Sequence, residues 1–284
     1  MLQQTTVKTV ENKILEIINI FPSFNSFKNK KLEQLLKVWS GLGYYNRAVN
    51  LFKAVTIINN KFNGVLPDNR DSLISLPGVG TYTSSAILAI GHNQKAFPID
   101  VNVKRLVERI SGAEFKDNEV ESILSLACKK KISYRSLAES MMDFSSIICK
   151  KNNPDCDKCK FSNFCKSAFQ KFENNQNTKK INKKIDFYIL NSPLHICFIK
   201  KPKFQFYKNF IHLPSNLDEE FISNIKLKKK EKIKSFKFVI TNKLFQVNVY
   251  KLNQKKLKIA NTVWIEKIKT KELALPTLFK KILN

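Results

Sequence analysis

Apolar residues recur at helical spacing through the first 166 residues of the chain, and short breaks separate the runs. Within each run they lie three or four positions apart, which is the spacing of one face of an α-helix. A proline or a glycine follows several runs and is expected to end the helix. The runs begin at or near Val7, Leu32, Ala48, Ala86, Val120 and Leu137. The pattern predicts an all-α domain over residues 1–166, with these stripes as its core.

The pattern changes after this domain. Residues 167–185 are rich in Gln, Asn and Lys and have no apolar period, which predicts a solvated linker. Beyond it, short β-prone runs around Phe187, His195 and Phe245 partly alternate, and the last run of the chain has helical spacing. The sequence therefore predicts a second, mixed α/β domain over residues 186–284.

The chain carries a formal net charge of +27 at pH 7. Such a charge attracts polyanions, so nucleic acid is the first candidate partner and an anionic membrane surface is the second. A compositional bias towards Lys and Asn, which the count of only 7 Gly supports, is an alternative source of the charge. The chain opens with polar residues and has no apolar run of the about 18 residues that a membrane span needs. These features predict a cytoplasmic protein that does not contact a membrane.

Four cysteines, Cys149, Cys156, Cys159 and Cys165, follow the spacing C-x6-C-x2-C-x5-C. Structural disulfides are rare in the cytosol, so clustered cysteines favour metal ligation there. Zinc sites usually combine two short Cys-x-x-Cys pairs, whereas this loop has one short pair between two longer spacings. The spacing favours a [4Fe-4S] cluster over zinc, and cysteines without a ligand are a third alternative. Cys128 and Cys197 lie in apolar stretches and are expected in the core.

The segment Leu76-Pro77-Gly78-Val79-Gly80 lies between two helical runs. Glycines allow the main chain to approach a ligand closely, and the amides at the start of the following helix favour an anion such as a DNA phosphate. An ordinary turn between two helices is the alternative. The segment Gly41-Leu42-Gly43-Tyr44-Tyr45 is ambiguous in the same way, because it could cap a helix or offer an aromatic wedge to a base stack.

Together these motifs resemble those of the helix–hairpin–helix DNA glycosylases with an iron–sulfur loop. Within that superfamily, Met1-Leu-Gln-Gln-Thr, Trp39-Ser-Gly-Leu-Gly-Tyr-Tyr and Asp100-Val-Asn-Val-Lys-Arg are similar to motifs of the adenine DNA glycosylases, the MutY family. The similarity is dense from residue 1 to residue 165 and weaker from 186 to 284. The resemblance implies a base-excision repair enzyme, expected to be a monomer, with a [4Fe-4S] cluster. Its expected partner is double-stranded DNA with adenine opposite 8-oxoguanine or guanine.

The resemblance also implies a Nudix-like fold for the second domain, which would read 8-oxoguanine. Because no Nudix hydrolase box is present, this domain is expected to recognise the lesion and not to hydrolyse it. Thr241-Asn242 is the nearest match to the Ser-His that the family usually shows in the loop facing 8-oxoguanine. Gln3, Gln4 and Tyr44 match residues that enter the base stack when the target base is extruded, and Leu42 is expected to assist them.

Two residues match the family's catalytic positions. Asp100 matches the catalytic aspartate, whose carboxylate stabilises the positive charge that builds on the sugar as the N-glycosidic bond breaks. A helix N-cap is a second role that the same residue can carry. Tyr82 stands where bifunctional relatives carry a lysine nucleophile, so the DNA strand is expected to remain uncut. A core aromatic is the alternative for this tyrosine.

The family's general acid is a glutamate two residues before the methionine of the first motif, and that methionine is Met1 here. General acid catalysis typically supplies about 10²–10⁴-fold, so the chain as given is expected to bind the mispair and to release adenine slowly or not at all. A start assigned too late and a decayed gene both account for this departure. The alternatives are a DNA-binding remnant without the acid and an endonuclease III-like glycosylase, against which Tyr82 and the second domain argue.

Overall fold

A computed structural model describes the chain except for residues 2–4, 129–132, 173–180, 208–209, 226–229, 241–242, 254–255 and 284. The chain divides into two compact units. Unit 1 comprises Met1–Thr56 and Asn177–Asn284, and unit 2 comprises Ile57–Gln176. This division differs from the sequence-based one, which assigns residues 1–166 to a single helical domain. The first helices group instead with the C-terminal part of the chain.

Helices lie at the predicted apolar runs, and the short helices at Arg70–Ile74 and Glu219–Ser223 correspond to no predicted run. In the described residues the α-helices are α1 (Val7–Ile20), α2 (Leu32–Val38), α3 (Asn46–Lys61), α4 (Arg70–Ile74), α5 (Thr81–Ala86), α6 (Val101–Ser111), α7 (Asp117–Ala127), α8 (Tyr134–Ile147), α9 (Glu219–Ser223) and α10 (Thr277–Leu283). Helix α1 ends just before Pro22, as the sequence predicts. Helix α5 continues into a π-helical turn at Ile87–Gly91. None of the helices in the described part of the chain is long and apolar enough to cross a membrane.

The C-terminal part of unit 1 contains a five-stranded mixed sheet, which confirms the predicted mixed α/β character. Its strands are β1 (Ile181–Asn191), β2 (His195–Ile199), β3 (Glu231–Ile240), β4 (Lys243–Asn253) and β5 (Thr262–Glu266). The strand order is β3-β4-β1-β2-β5. Strands β1 and β4 are parallel, and the other neighbouring pairs are antiparallel. Strand β1 begins inside the predicted linker 167–185, because its first residues already pair with β4.

Alternation along β1 explains why the first helices belong to unit 1. Phe187 and its neighbours on one face of the sheet share a core with Trp39, which follows α2, and with Phe279 of α10. On the other face, Tyr188 packs in a separate cluster with Phe221 of α9. Successive side chains of a strand point to opposite faces. One face of the sheet therefore belongs to the same core as the apolar stripes of α1 and α2, and the opposite face packs with α9.

A histidine lies inside the larger core of unit 1. The ring of His212 stacks on Phe279, with centroids 4.8 Å apart. Its Nδ1 lies 2.7 Å from the carbonyl oxygen of Leu213, whereas its Nε2 has no hydrogen-bond partner among the described residues. Burial lowers the pKa of His212 to about 4, although the Leu213 carbonyl and Asp218 oppose this shift. The folded protein therefore holds this imidazole in its neutral form.

We expect unit 1 to lose stability in mild acid because His212 must be buried without its charge. With a pKa of about 4 in the folded chain and about 6.5 in the unfolded chain, proton uptake by the unfolded chain removes about 2 kcal/mol of stability between pH 7 and pH 5. The substitution His212→Phe removes this titration and should flatten the fall of the thermal midpoint over that range. An unchanged slope in His212→Phe would contradict this account.

Candidate active site and cysteine loop

Asp100 occupies the N-cap position of α6, as the sequence predicts. Its Oδ1 accepts the backbone N–H groups of Asn102 at 2.9 Å and Val103 at 2.8 Å. Its Oδ2 accepts the side-chain amide of Asn102 at 2.9 Å. The carboxylate therefore has a fixed orientation and lies beside the positive end of the helix dipole. The carboxylate remains half-buried rather than enclosed, so one side is open to a ligand.

Tyr82 is the other predicted catalytic residue, and it lies close enough to Asp100 to feel its charge. Burial raises the pKa of Tyr82, and the negative charge of Asp100 raises this pKa further. The phenol therefore stays protonated near neutral pH. Tyr82 belongs to the first turn of α5, so the hairpin before α5 and the N-terminus of α6 bring the two residues together.

A chain of hydrogen bonds connects Asp100 with the first cysteine. Asn102, which donates to Asp100, accepts Nη1 of Arg105 at 2.8 Å. The same guanidinium donates to the carbonyl oxygen of Cys149 from Nε at 3.2 Å and from Nη2 at 2.8 Å. It also donates to the carbonyl of Ser145 at 2.7 Å. Nothing in the sequence indicated a role for Arg105, and its contacts make it the structural link between the carboxylate and the cysteine loop.

The C-terminal end of α6 is also held by the cysteine loop. Gly112 ends the helix with a positive φ of 74°, and a Cβ atom there would meet the Cβ of Lys166 at 2.8 Å. Both the backbone angle and the close approach therefore require glycine. The amides of Lys166 and Ser167 cap the carbonyls of Ile110 and Arg109 at 3.1 Å each. The helix that presents Asp100 is thus fixed at both ends.

All four predicted ligands line one cleft that is partly open to solvent: Cys149, Cys156, Cys159 and Cys165. Burial raises the pKa of Cys165, its contact with Ser167 lowers it, and the other three thiols raise it further. Four thiolates that repel one another in a shared cleft are suited to a cationic ligand, because ligation requires their deprotonated form. Within the described residues, no group of three or more His, Cys, Asp or Glu side chains is arranged to hold a metal ion. Cys128 is half-buried, and Cys197 lies in the core as predicted.

Arg109 lines the same cleft and was not singled out by the sequence. It is 8% exposed and donates to the carbonyls of Lys150 and Lys151 at 2.7 Å each. Its Nη1 lies 3.6 Å from the sulfur of Cys149, and its guanidinium carbon lies 3.7 Å from the ring centre of Phe172. Its burial depends on contacts with the cysteine loop, which a single sequence does not reveal, although a buried arginine is almost always paired.

The predicted hairpin lies between α4 and α5. Leu76 is buried, whereas Gly78 and Gly80 are exposed. Gly78 has a φ of 80°, a region that favours glycine. Gly80 is the N-cap of α5, and the space around its Cα is open. The turn therefore presents bare backbone to solvent at the start of a helix, as the sequence predicts.

The remaining predicted contacts belong to unit 1. Tyr44 is 42% exposed in the loop after α2, which fits a residue that can reach a ligand. Leu42 is only 3% exposed and packs in the core, so its side chain supports the loop and is not free to enter a base stack in this conformation. Four predicted contacts lie outside the described residues: Gln3, Gln4, Thr241 and Asn242.

Comparison with known proteins gives a consistent result. Residues 1–130 match the family model described as HhH-GPD superfamily base excision DNA repair protein. A relative from Buchnera aphidicola subsp. Baizongia pistaciae, named adenine DNA glycosylase, is 30% identical over 303 residues, with 100% of this chain and 86% of that relative covered. The same name is carried by a relative from Buchnera aphidicola subsp. Schizaphis graminum, which is 31% identical and covers 100% of this chain and 88% of its own length. A human relative of that name is 30% identical over 62% of this chain and 33% of its own length.

Solved structures match the helical part of the chain. A structure titled as a thermostable thymine-DNA glycosylase has a TM-score of 0.53 at 28% identity and covers 59% of this chain and 79% of that chain. A non-covalent endonuclease III–DNA complex has a TM-score of 0.53 at 26% identity, with 59% of this chain and 79% of that chain covered. These matches confirm the helix–hairpin–helix glycosylase fold that the sequence predicts for the helical part.

Proposed function

The chain belongs to the adenine DNA glycosylase family, and from this premise we propose that it hydrolyses the N-glycosidic bond of adenine mispaired with 8-oxoguanine or guanine in double-stranded DNA. The premise rests on relatives of that name that align with the whole chain. The observation that carries the proposal is Asp100, fixed at the start of α6, with Tyr82 within range of its charge. This is a base-excision repair activity that uses water and leaves an abasic site.

The contacts of Asp100 support an electrostatic role in bond cleavage. As the adenine departs, positive charge builds on the sugar, and a preoriented carboxylate stabilises that charge without having to reorganise. Two backbone amides and one side-chain amide hold the oxygens of Asp100 in place. The mechanism also needs an acid that protonates the leaving adenine, and we assign that step to none of the described residues. Among the residues of the site, Asp100 therefore makes the largest contribution to the rate.

The phenol of Tyr82 supports a reaction that stops at base removal. A bifunctional glycosylase uses an amine nucleophile that forms a Schiff base with the sugar, and a phenol cannot form one. Burial and the nearby carboxylate raise the pKa of Tyr82, so its hydroxyl stays protonated and can donate to the substrate. The product strand should then remain intact until it is treated with alkali.

DNA contacts are proposed on both units. In unit 2, the exposed Gly78–Gly80 turn suits a phosphate, because backbone amides at a helix start favour anions. In unit 1, Tyr44 is proposed to enter the base stack together with Gln3 and Gln4. The mixed sheet is proposed to be a Nudix-like lesion reader, with Thr241-Asn242 facing 8-oxoguanine. The net charge of +27 would strengthen every such contact at low salt.

The four cysteines are proposed to hold a [4Fe-4S] cluster. Their shared cleft and the N–H donors on two of the sulfurs, from Arg109 to Cys149 and from Phe169 to Cys156, suit thiolate ligands of a cluster. When bound, the cluster would supply iron–thiolate bonds that fix the loop. The loop in turn caps α6 and holds Arg105. The proposed role of the cofactor is therefore to position Asp100, with no redox step in base removal.

We expect the protein, expressed with the family's glutamate ahead of Met1, to release adenine from a duplex with adenine opposite 8-oxoguanine. In a single-turnover assay, the adenine-containing strand should be cut at that position after alkali and should remain whole without it. An identical duplex with adenine opposite thymine is the matched control and should stay intact. Cutting without alkali would instead support the endonuclease III-like alternative. Equal release from both duplexes would contradict mispair recognition, and binding without any release would support the DNA-binding remnant.

A further inference from the structure

Arg47, at the start of α3, makes hydrogen bonds with several residues that precede it in the chain. Its Nη1 donates to the carbonyl of Met1 at 2.7 Å. Its Nη2 donates to the hydroxyl of Thr5 at 2.8 Å and to the carbonyl of Leu42 at 2.9 Å, with Gly43 at 3.3 Å. The guanidinium thus contacts both ends of residues 1–5 and the loop that follows α2. The hydroxyl of Thr5 completes the link, because it donates to the carbonyl of Leu42 at 3.2 Å.

The loop that Arg47 contacts has an unfavourable backbone. Gly41, Gly43 and Tyr44 have φ values of 100°, 66° and 44°. Glycine adopts positive φ readily, but the positive φ of Tyr44 is costly and persists only when the surroundings fix it. The carbonyl of Gly43 accepts the indole N–H of Trp39 at 3.2 Å in addition to Arg47. The guanidinium carbon also lies 5.5 Å from the ring centre of Tyr44, within cation–π range.

We propose that Arg47 is a positioning residue that ties Met1 and Thr5 to the Gly41–Tyr45 loop and so fixes the backbone from which Tyr44 enters the base stack. Only a planar guanidinium with several N–H groups can donate to Met1, Thr5 and Leu42 at once. Arg47 touches no substrate in this role. It acts through the backbone that carries Tyr44, and it keeps that side chain exposed at the required angle.

This inference rests on the proposed function, because it assigns Tyr44 to stack opening. Stack opening precedes bond cleavage in an enzyme that must extrude its base. Loss of the Arg47 hydrogen bonds should therefore slow adenine release more than it weakens DNA binding, since the phosphate contacts elsewhere remain. A purely structural arginine would instead lower stability and leave the chemistry of the folded fraction intact.

The test compares the wild-type protein, expressed with the family's glutamate ahead of Met1, with its Arg47→Lys and Thr5→Val variants. The duplex carries 2-aminopurine next to 8-oxoguanine. The fluorescence of this base rises when its stacking is broken. We expect Arg47→Lys to lose most of the rise at saturating protein and to slow single-turnover adenine release by about tenfold to hundredfold. Thr5→Val keeps the charge and the shape but removes one bridge, so a smaller loss in the same direction is expected.

A control for charge comes from Arg70, whose partly exposed side chain pairs with Glu121 at 3.0 Å. Arg70→Lys should retain the wild-type fluorescence rise and release rate. Thermal midpoints of all variants show whether each remains folded at the assay temperature. A wild-type rise and rate in folded Arg47→Lys and Thr5→Val would overturn the inference while leaving the proposed function in place. Absence of release by wild type itself would instead contradict the proposed function.

Discussion

Replacing Asp100 by asparagine is expected to slow adenine release by about three orders of magnitude and to leave DNA affinity nearly unchanged. A carboxylate about 4 Å from the cationic sugar is worth about 4 kcal/mol at an effective dielectric constant of about 20, which corresponds to about three orders of magnitude in rate. Asparagine is as good an N-cap as aspartate, so α6 should keep its start. Single-turnover rates and the dissociation constant for an uncleaved duplex separate the two effects.

A second variant tests whether the position of the charge matters. Asn102 donates to Asp100 and accepts from Arg105, so a new amide at position 100 would face another amide N–H. The double substitution Asp100→Asn with Asn102→Asp restores an acceptor there and keeps the net charge of the protein. It should be as slow as the single variant, because the carboxylate has moved away from the sugar. Recovery of the wild-type rate in this double variant would show that the network, and not the charge of Asp100, sets the rate.

A control variant must show that loss of a helix cap does not by itself slow adenine release. The hydroxyl of Ser133 caps α8 by accepting the N–H of Ser136 at 3.2 Å. The substitution Ser133→Ala removes this cap at a stability cost of about 1 kcal/mol. We expect it to retain the wild-type rate of adenine release at a temperature where the protein is folded. A rate as low as that of Asp100→Asn would mean that the assay reports unfolding.

The local features of the site could be predicted from the sequence because they depend on neighbouring residues. Asp100 precedes an apolar helical pattern, so its N-cap role follows from the spacing. The cysteine spacing likewise indicated one shared site, and the four thiols line one cleft. The contacts of Arg47 and Arg105 with distant carbonyls could not be predicted, because a single sequence does not tell which segments pack together.

The same limit applies to the fold. The grouping of α1 and α2 with the sheet depends on complementary apolar faces, which a helical period in one segment cannot reveal. Strand β3 was missed although Phe236 and Phe238 alternate with Ser235 and Lys237, because lysine-rich flanks resemble a solvated surface. The start of β1 was missed for a related reason. Polar residues 182–184 follow its first residue, and only pairing with β4 makes this stretch a strand.

Replacing Cys149 by alanine is expected to abolish binding of the proposed [4Fe-4S] cluster and, with it, adenine release. Cys149 is 8% exposed, and its carbonyl accepts two N–H groups of Arg105. We expect anaerobically purified wild type to be brown, with about four irons per chain, and Cys149→Ala to be colourless with little iron. Iron analysis and visible absorbance measure this directly. The thermal midpoint should fall as well, because ligation free energy contributes to folding.

Cys128→Ala is the matched control, because Cys128 does not line the cleft of the four thiols. It should retain the wild-type colour, iron content and rate of adenine release. Stoichiometric zinc without iron in wild type would contradict the cluster, and full iron in Cys149→Ala would contradict the ligand assignment. The activity loss should follow the iron loss for a mechanical reason. The loop that begins at Cys149 holds Arg105 and caps the far end of α6, so a loosened loop frees the helix that aims Asp100 at the sugar.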